Sequence, residues 1–198
     1  MAADSFLIVH GWENRRPAGH WQHWLAGELA AQGHQVRYPQ FPEPDEPVLD
    51  DWLALLREEL GRLDGAERVL ICHSLAVLLF WQAAPTLGQL RPDRVLLVAP
   101  PSPDVLRKYA AVTAFAPPGI EISAPDPGLL RRARLVAADD DPYFPGGAAP
   151  VYAERFGVDV DVIPGAGHLD LPAGYGAWPS VLEWCLDPAV RISGRAAS

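Results

Sequence analysis

Four short clusters, each directly after an apolar run, carry the residue types that acyl-transfer chemistry requires. A serine hydroxyl is a poor nucleophile until a neighbouring base takes its proton. That base in turn needs a buried acid to fix its tautomer and stabilise the imidazolium. Ser74 in His73-Ser74, His168 in Gly167-His168, and one of Asp139, Asp140 and Asp141 fit those three roles. A tetrahedral oxyanion needs two further N–H donors. The backbone of Leu75 offers one, and His10-Gly11-Trp12 offers the other from Gly11 or Trp12.

Each cluster also has a plainer reading. Ser74 also fits an ordinary strand-to-helix loop, capping the helix that follows it, since Ser is a favoured N-cap. The acidic triplet fits a solvated turn, although its place after a buried run favours at least one functional member. His10 and His73 read as packing or hydrogen-bonding groups beside the site, because only His168 stands on a glycine-flanked loop after the last strand. His20 and His23, at i and i+3, have a spacing compatible with metal ligation, but no third ligand or acidic partner accompanies them, so helix packing is preferred. Cys72, next to Ser74, is expected to be buried and inert.

These residues need elements that bring them together. Phe6 to Val9, Val69 to Cys72 and Arg94 to Ala99 are apolar runs without alternation, as central parallel strands covered on both faces should be. Gln35 to Tyr38, Arg134 to Ala138 and Val158 to Ile163 complete six strands. Trp21, Trp24, Leu25 and Leu29 recur at helical spacing up to a C-cap at Gly33. Trp52, Leu53, Leu55, Leu56, Leu60 and Leu63 mark a second helix, with Asp50 or Asp51 as its cap. Leu75 to Trp81 is apolar on nearly every side, as a helix buried on a sheet would be. Further helices are predicted over Pro150 to Phe156 and Trp178 to Leu186, with a weak one around Val105 to Val112. Strands and helices alternating in this way imply an α/β fold with an approximately six-stranded parallel sheet and helices on both faces. Residues 101–131 read as an irregular, cap-like excursion over the strand ends, and 187–198 as a loose tail. In such a sheet, functional groups collect at the carboxyl ends of the strands, and all four clusters fall there.

Composition narrows the function. The 198 residues, 49% hydrophobic, suit one domain, residues 1–198, with a sizeable core. A net charge of −9 without a basic run opposes binding to nucleic acid or an anionic membrane and favours a soluble protein with a small-molecule or protein partner. No apolar run approaches the length of a membrane span. The two cysteines fall in buried segments and the start of the chain has no charged, apolar and cleavable pattern, so a cytoplasmic location is expected.

The chain resembles the small serine α/β-hydrolase family of the retinoblastoma-binding protein 9 and YdeN type. The matching pieces are His10-Gly11-Trp12, Pro17 to Trp24, Cys72-His73-Ser74-Leu75, Val98-Ala99-Pro100, Asp140-Asp141-Pro142-Tyr143, Gly165 to His168, and Gly174 to Pro179. Cys72 and Ala76 stand where that family commonly has glycine. The resemblance implies a reduced α/β-hydrolase fold without the two antiparallel edge strands. It implies a nucleophile elbow at Ser74 and selects Asp141, the residue before the proline, as the acid beside His168. It implies an oxyanion hole from the backbone of Trp12 and Leu75, with His10, Gly11, Trp12, His73 and Tyr143 around the substrate. The expected activity is metal-independent, cofactor-free hydrolysis of a small ester, thioester or amide, acting on a small-molecule acyl substrate. Two other readings are a low-turnover binding or scaffold protein on the same fold, and acyl transfer or cyclisation by the same triad.

Overall fold

Six parallel strands form one sheet in the order β2-β1-β3-β4-β5-β6. They are β1 (Ser5–Val9), β2 (Gln35–Arg37), β3 (Arg68–His73), β4 (Arg94–Val98), β5 (Ala133–Ala138) and β6 (Asp159–Ile163). The helices are α1 (Trp21–Ala31), α2 (Leu49–Leu60), α3 (Leu75–Ala83), α4 (Pro103–Leu106), α5 (Ala148–Phe156) and α6 (Pro179–Leu186). The computed structural model describes residues 3–116 and 132–195.

Side chains alternate across the sheet, and the two faces build two cores. Phe6 and Ile8 of β1, Val69 and Ile71 of β3, and Leu96 and Val98 of β4 meet Trp21, Leu25 and Leu29 of α1 and Val181 and Trp184 of α6. On the opposite face Leu7, Val9, Leu70, Cys72, Leu97 and Leu135 meet Trp52 and Leu56 of α2, the apolar residues of α3, and Tyr152 and Phe156 of α5. The β1–β3–β4–β5 centre is buried on both sides, which is why those strands carry unbroken apolar runs. The chain leaves β1 towards β2 and returns from β2 to β3 on the other side of β1, so a crevice opens at the carboxyl ends of β1 and β3.

Two details differ from the sequence expectations. Helix α2 starts at Leu49, with extended Val48 at the cap position, so Asp50 and Asp51 lie inside its first turn, where their charge suits the helix dipole. The weak helix at 105–112 divides into α4, capped by the Ser102 hydroxyl accepting from Val105 N–H, and a 3₁₀ stretch over Ala110–Phe115. Residues 117–131 of the expected excursion lie outside the described residues.

The tail is anchored through Arg191, Ile192 and Ser193. Ile192 is buried, Trp178 Nε1 donates to Ser193 O at 2.7 Å, and Arg191 pairs with Asp159 and Asp161. A single buried isoleucine and two arginine–carboxylate pairs are enough to order so short a segment, and they involve partners about thirty positions away. Among the described residues, no helix is long and apolar enough to cross a membrane.

Candidate active site

The turn from β3 into α3 holds Ser74 at φ 56° and ψ −122°, a conformation that L-residues adopt only under constraint. Both sides of the turn impose it. Ser74 N–H donates to Val98 O at 2.9 Å, continuing the ladder between β3 and β4, while Ser74 O accepts from Val77 N–H to start α3. The hydroxyl makes no capping bond to α3. It lies instead 2.8 Å from His168 Nε2. Cys72 and Ala76, where small residues are required, are both fully buried, and burial pushes the Cys72 thiol pKa up, away from reactivity.

His168 reaches Ser74 from the loop after β6. Its Nδ1 is 2.9 Å from Asp141 Oδ2 and 3.1 Å from Oδ1, so Nδ1 carries the proton and Nε2 presents its lone pair to the serine hydroxyl. Asp141 is buried, and its Oδ1 also accepts from Tyr143 N–H at 2.8 Å, which holds the carboxylate in place. The other two acids of the triplet act on the same loop. Asp139 Oδ1 accepts from Gly165 N–H and Asp140 Oδ1 from Gly167 N–H, both at 2.8 Å. Gly167 sits at φ 58°, which a side chain would oppose.

The opposite wall comes from the loop after β1. A Cβ placed on Gly11 would lie 2.8 Å from Ser74 Cβ and 3.3 Å from its hydroxyl oxygen, so only glycine lets this backbone run so close to the serine. Trp12 is pinned by its indole N–H, which donates to Asp45 O at 2.9 Å, and its ring meets Tyr109 at 5.2 Å. Tyr143 packs on His168 with ring centres 4.4 Å apart. Gly11, Trp12, Ser74, Leu75, Tyr143 and His168 all line one cleft of about 520 Å³.

Of the two further histidines expected around the substrate, His73 lines the cleft and His10 does not. His10 is sealed in the core, away from the cleft: Nδ1 donates to Gly11 O at 2.8 Å and Nε2 accepts from Phe41 N–H at 2.9 Å. Burial lowers its pKa to about 4. It therefore fixes the loop that carries Gly11 and does not line the cleft. His73 borders the cleft but spends its Nε2 on His168 O, at 3.1 Å. Burial holds its pKa well below the ordinary histidine range.

His20 caps α1, its Nδ1 accepting from Gln22 N–H, whereas His23 is exposed, so the pair does not converge on one point. Among the described residues, no group of three or more His, Cys, Asp or Glu side chains is placed to hold a metal ion.

A family model described as serine hydrolase matches residues 6–186. The chain belongs to the serine hydrolase family. Its structure is similar to that of the ydeN gene product of B. subtilis, at TM-score 0.74 and 21% identity, over 93% of this chain and 97% of that one. A putative YdeN-like hydrolase of Pectobacterium atrosepticum follows at TM-score 0.69 and 23% identity, over 90% and 86% of the two chains. Est1E of Butyrivibrio proteoclasticus aligns at TM-score 0.65 and 15% identity, over 93% of this chain and 88% of that one. At such identities the likeness carries the fold. A search of curated proteins finds no match.

In this serine hydrolase the cleft also includes Glu13, Asp170 and Leu171, which the sequence reading did not single out. Their neighbours offered the signal: Glu13 follows the Gly11-Trp12 loop, and Asp170 and Leu171 follow His168. Trp21 was read only as a core residue. Its indole N–H also donates to Leu169 O at 2.9 Å, beside the catalytic loop.

Proposed function

We propose that this serine hydrolase cleaves a small ester, thioester or amide through an acyl-Ser74 intermediate, as a single-domain, metal-independent, cytoplasmic enzyme. The observation that carries this reading is the position of His168, with one ring nitrogen on Ser74 Oγ and the other on buried Asp141. Ser74 Oγ attacks the substrate carbonyl as its proton passes to His168 Nε2, and Asp141 stabilises the imidazolium. The oxyanion is received by the N–H groups of Leu75 and Trp12, which flank the serine. His168 then hands the proton to the leaving group. Water then gives a proton to the same nitrogen as its oxygen bonds the acyl carbon; the bond from that carbon to Ser74 Oγ breaks, the acid is released, and His168 returns the proton to Ser74 Oγ.

The cleft volume of about 520 Å³ suits a small-molecule substrate, and Trp12, Tyr143, Leu106 and Leu171 give it largely apolar walls for an acyl chain. The net charge of −9 argues against polyanionic partners. Labelling with a fluorophosphonate probe tests the proposal. Wild type is expected to take one label and Ser74→Ala none; a folded wild type that takes no label would count against hydrolysis and favour a binding role.

A further inference from the structure

The loop that carries His168 has a strained course, with positive φ at Gly165, Gly167 and Leu169. Backbone of this kind keeps its shape only where its surroundings hold it. Four side chains do so, each on a different backbone group: Asp139 on Gly165 N–H, Asp140 on Gly167 N–H, His73 on His168 O, and Trp21 on Leu169 O. Of these four, His73 is the one that bonds to His168 itself, through its carbonyl.

We infer that His73 is a positioning residue that sets the aim of the His168 ring through the His168 carbonyl, an inference that rests on the reading of His168 as the base. The geometry fixes its hydrogen. A carbonyl only accepts, so His73 Nε2 must carry the proton. Burial keeps the ring neutral, which leaves Nδ1 as a bare acceptor, and Nδ1 has no hydrogen-bond partner among the described residues. The ring is held from three sides: by His20 at 5.4 Å, by Trp21 edge-on at 5.7 Å, and by His168 itself at 5.2 Å. His20 suits this neighbourhood. Its Nδ1 accepts from Gln22 N–H, so its neutral ring carries the proton on Nε2, and it adds no positive charge beside the imidazolium that forms on His168. His73 thus ends β3, directly before Ser74, and grips the residue that activates Ser74, tying nucleophile and base to one rigid element. A loop free to drift by an ångström would lose the 2.8 Å contact on which proton transfer depends.

The test compares His73→Gln with His73→Met. The two replacements are close in length and volume, and only the glutamine amide can donate to the His168 carbonyl. With an activated ester, His73→Met is expected to lose about 10- to 100-fold in kcat with KM within about twofold, whereas His73→Gln recovers most of that loss. Equal kcat in His73→Met and wild type, or equal losses in two folded variants, would overturn the inference. Should circular dichroism show both unfolded, Trp21→Phe examines the same loop from its other carbonyl. It removes one donor and keeps an aromatic ring, and it is expected to lower kcat about 10-fold; full activity there would also overturn the inference. Failure of the underlying reading is separable, because wild type would then show no activity that Ser74→Ala removes.

Discussion

Ser74 Oγ stands 2.8 Å from His168 Nε2 across 94 positions of sequence, while the N-terminus of α3 immediately beside it receives no hydrogen bond from that hydroxyl. A serine at a helix start ordinarily spends its oxygen on capping. Here the backbone at φ 56° turns the side chain out of capping range and towards the carboxyl edge of the sheet, and the histidine arrives from the strand at the far edge. The strain at Ser74 and the reach of the β6 loop therefore belong to one arrangement.

The acidic triplet separates into a charge and two braces. Asp141→Asn keeps the shape but loses the carboxylate that fixes the histidine tautomer, and turnover should fall by about 10⁴. Asp139→Asn and Asp140→Asn each retain an oxygen that accepts from Gly165 or Gly167 N–H, and should cost less than about 10-fold. Steady-state kinetics of the three variants on one activated ester checks the order.

Gly11→Ala should disable the site from the opposite wall. The new Cβ meets Ser74 Cβ at 2.8 Å, so the Gly11 loop or the serine must move. Overpacking of this kind costs about 1–3 kcal/mol, and displacement of the nucleophile should lower kcat about 100-fold. A thermal melt and ester kinetics on the same preparation separate the two effects.

Acid should destabilise the fold before most carboxylates titrate. The rings of His10 and His20 have pKa values lowered to about 4, and that of His73 lies well below the ordinary histidine range, in each case chiefly by burial. The unfolded chain takes up protons at these rings near pH 6.5 while the folded chain does not until about 4, so their contribution, complete above pH 6.5, is lost progressively as pH falls. Each ring adds a slope approaching ~1.4 kcal/mol per pH unit within that window. Melting temperature is expected to drop by about 10 °C between pH 7 and 5.5. A flat profile over that range would contradict the burial of neutral rings.

Ending the chain after Asp187 should lower stability by about 2–4 kcal/mol, since it exposes the surface under Ile192 and leaves buried Asp161 without Arg191. Denaturant unfolding of the shortened chain measures this loss.

The sequence was most informative where one segment decides its own fate. The apolar runs at Phe6 to Val9 and Val69 to Cys72 are covered on both faces, so their patterns alone disclose central parallel strands. The clusters at the ends of those strands then follow from sheet geometry, which is why Ser74, His168 and the acidic triplet could be named together. Features set by distant partners were hidden. Nothing near His10 says that Phe41 N–H will occupy its Nε2, and nothing near Ile192 says that the tail will fold back on Trp178 and Asp161. The bracing roles of Asp139, Asp140, His73 and Trp21 were hidden for the same reason, since each acts on backbone groups 26 or more positions away.

The central claim is a covalent bond between substrate acyl group and Ser74 Oγ, and trapping that species tests it most directly. Wild type mixed with a slowly deacylating p-nitrophenyl ester and quenched in acid should gain the mass of one acyl group, mapped by peptide fragmentation to Ser74. The same treatment of Ser74→Ala and His168→Ala should leave the mass unchanged. An acyl group found on another residue, or ester turnover that persists undiminished in Ser74→Ala, would contradict the account.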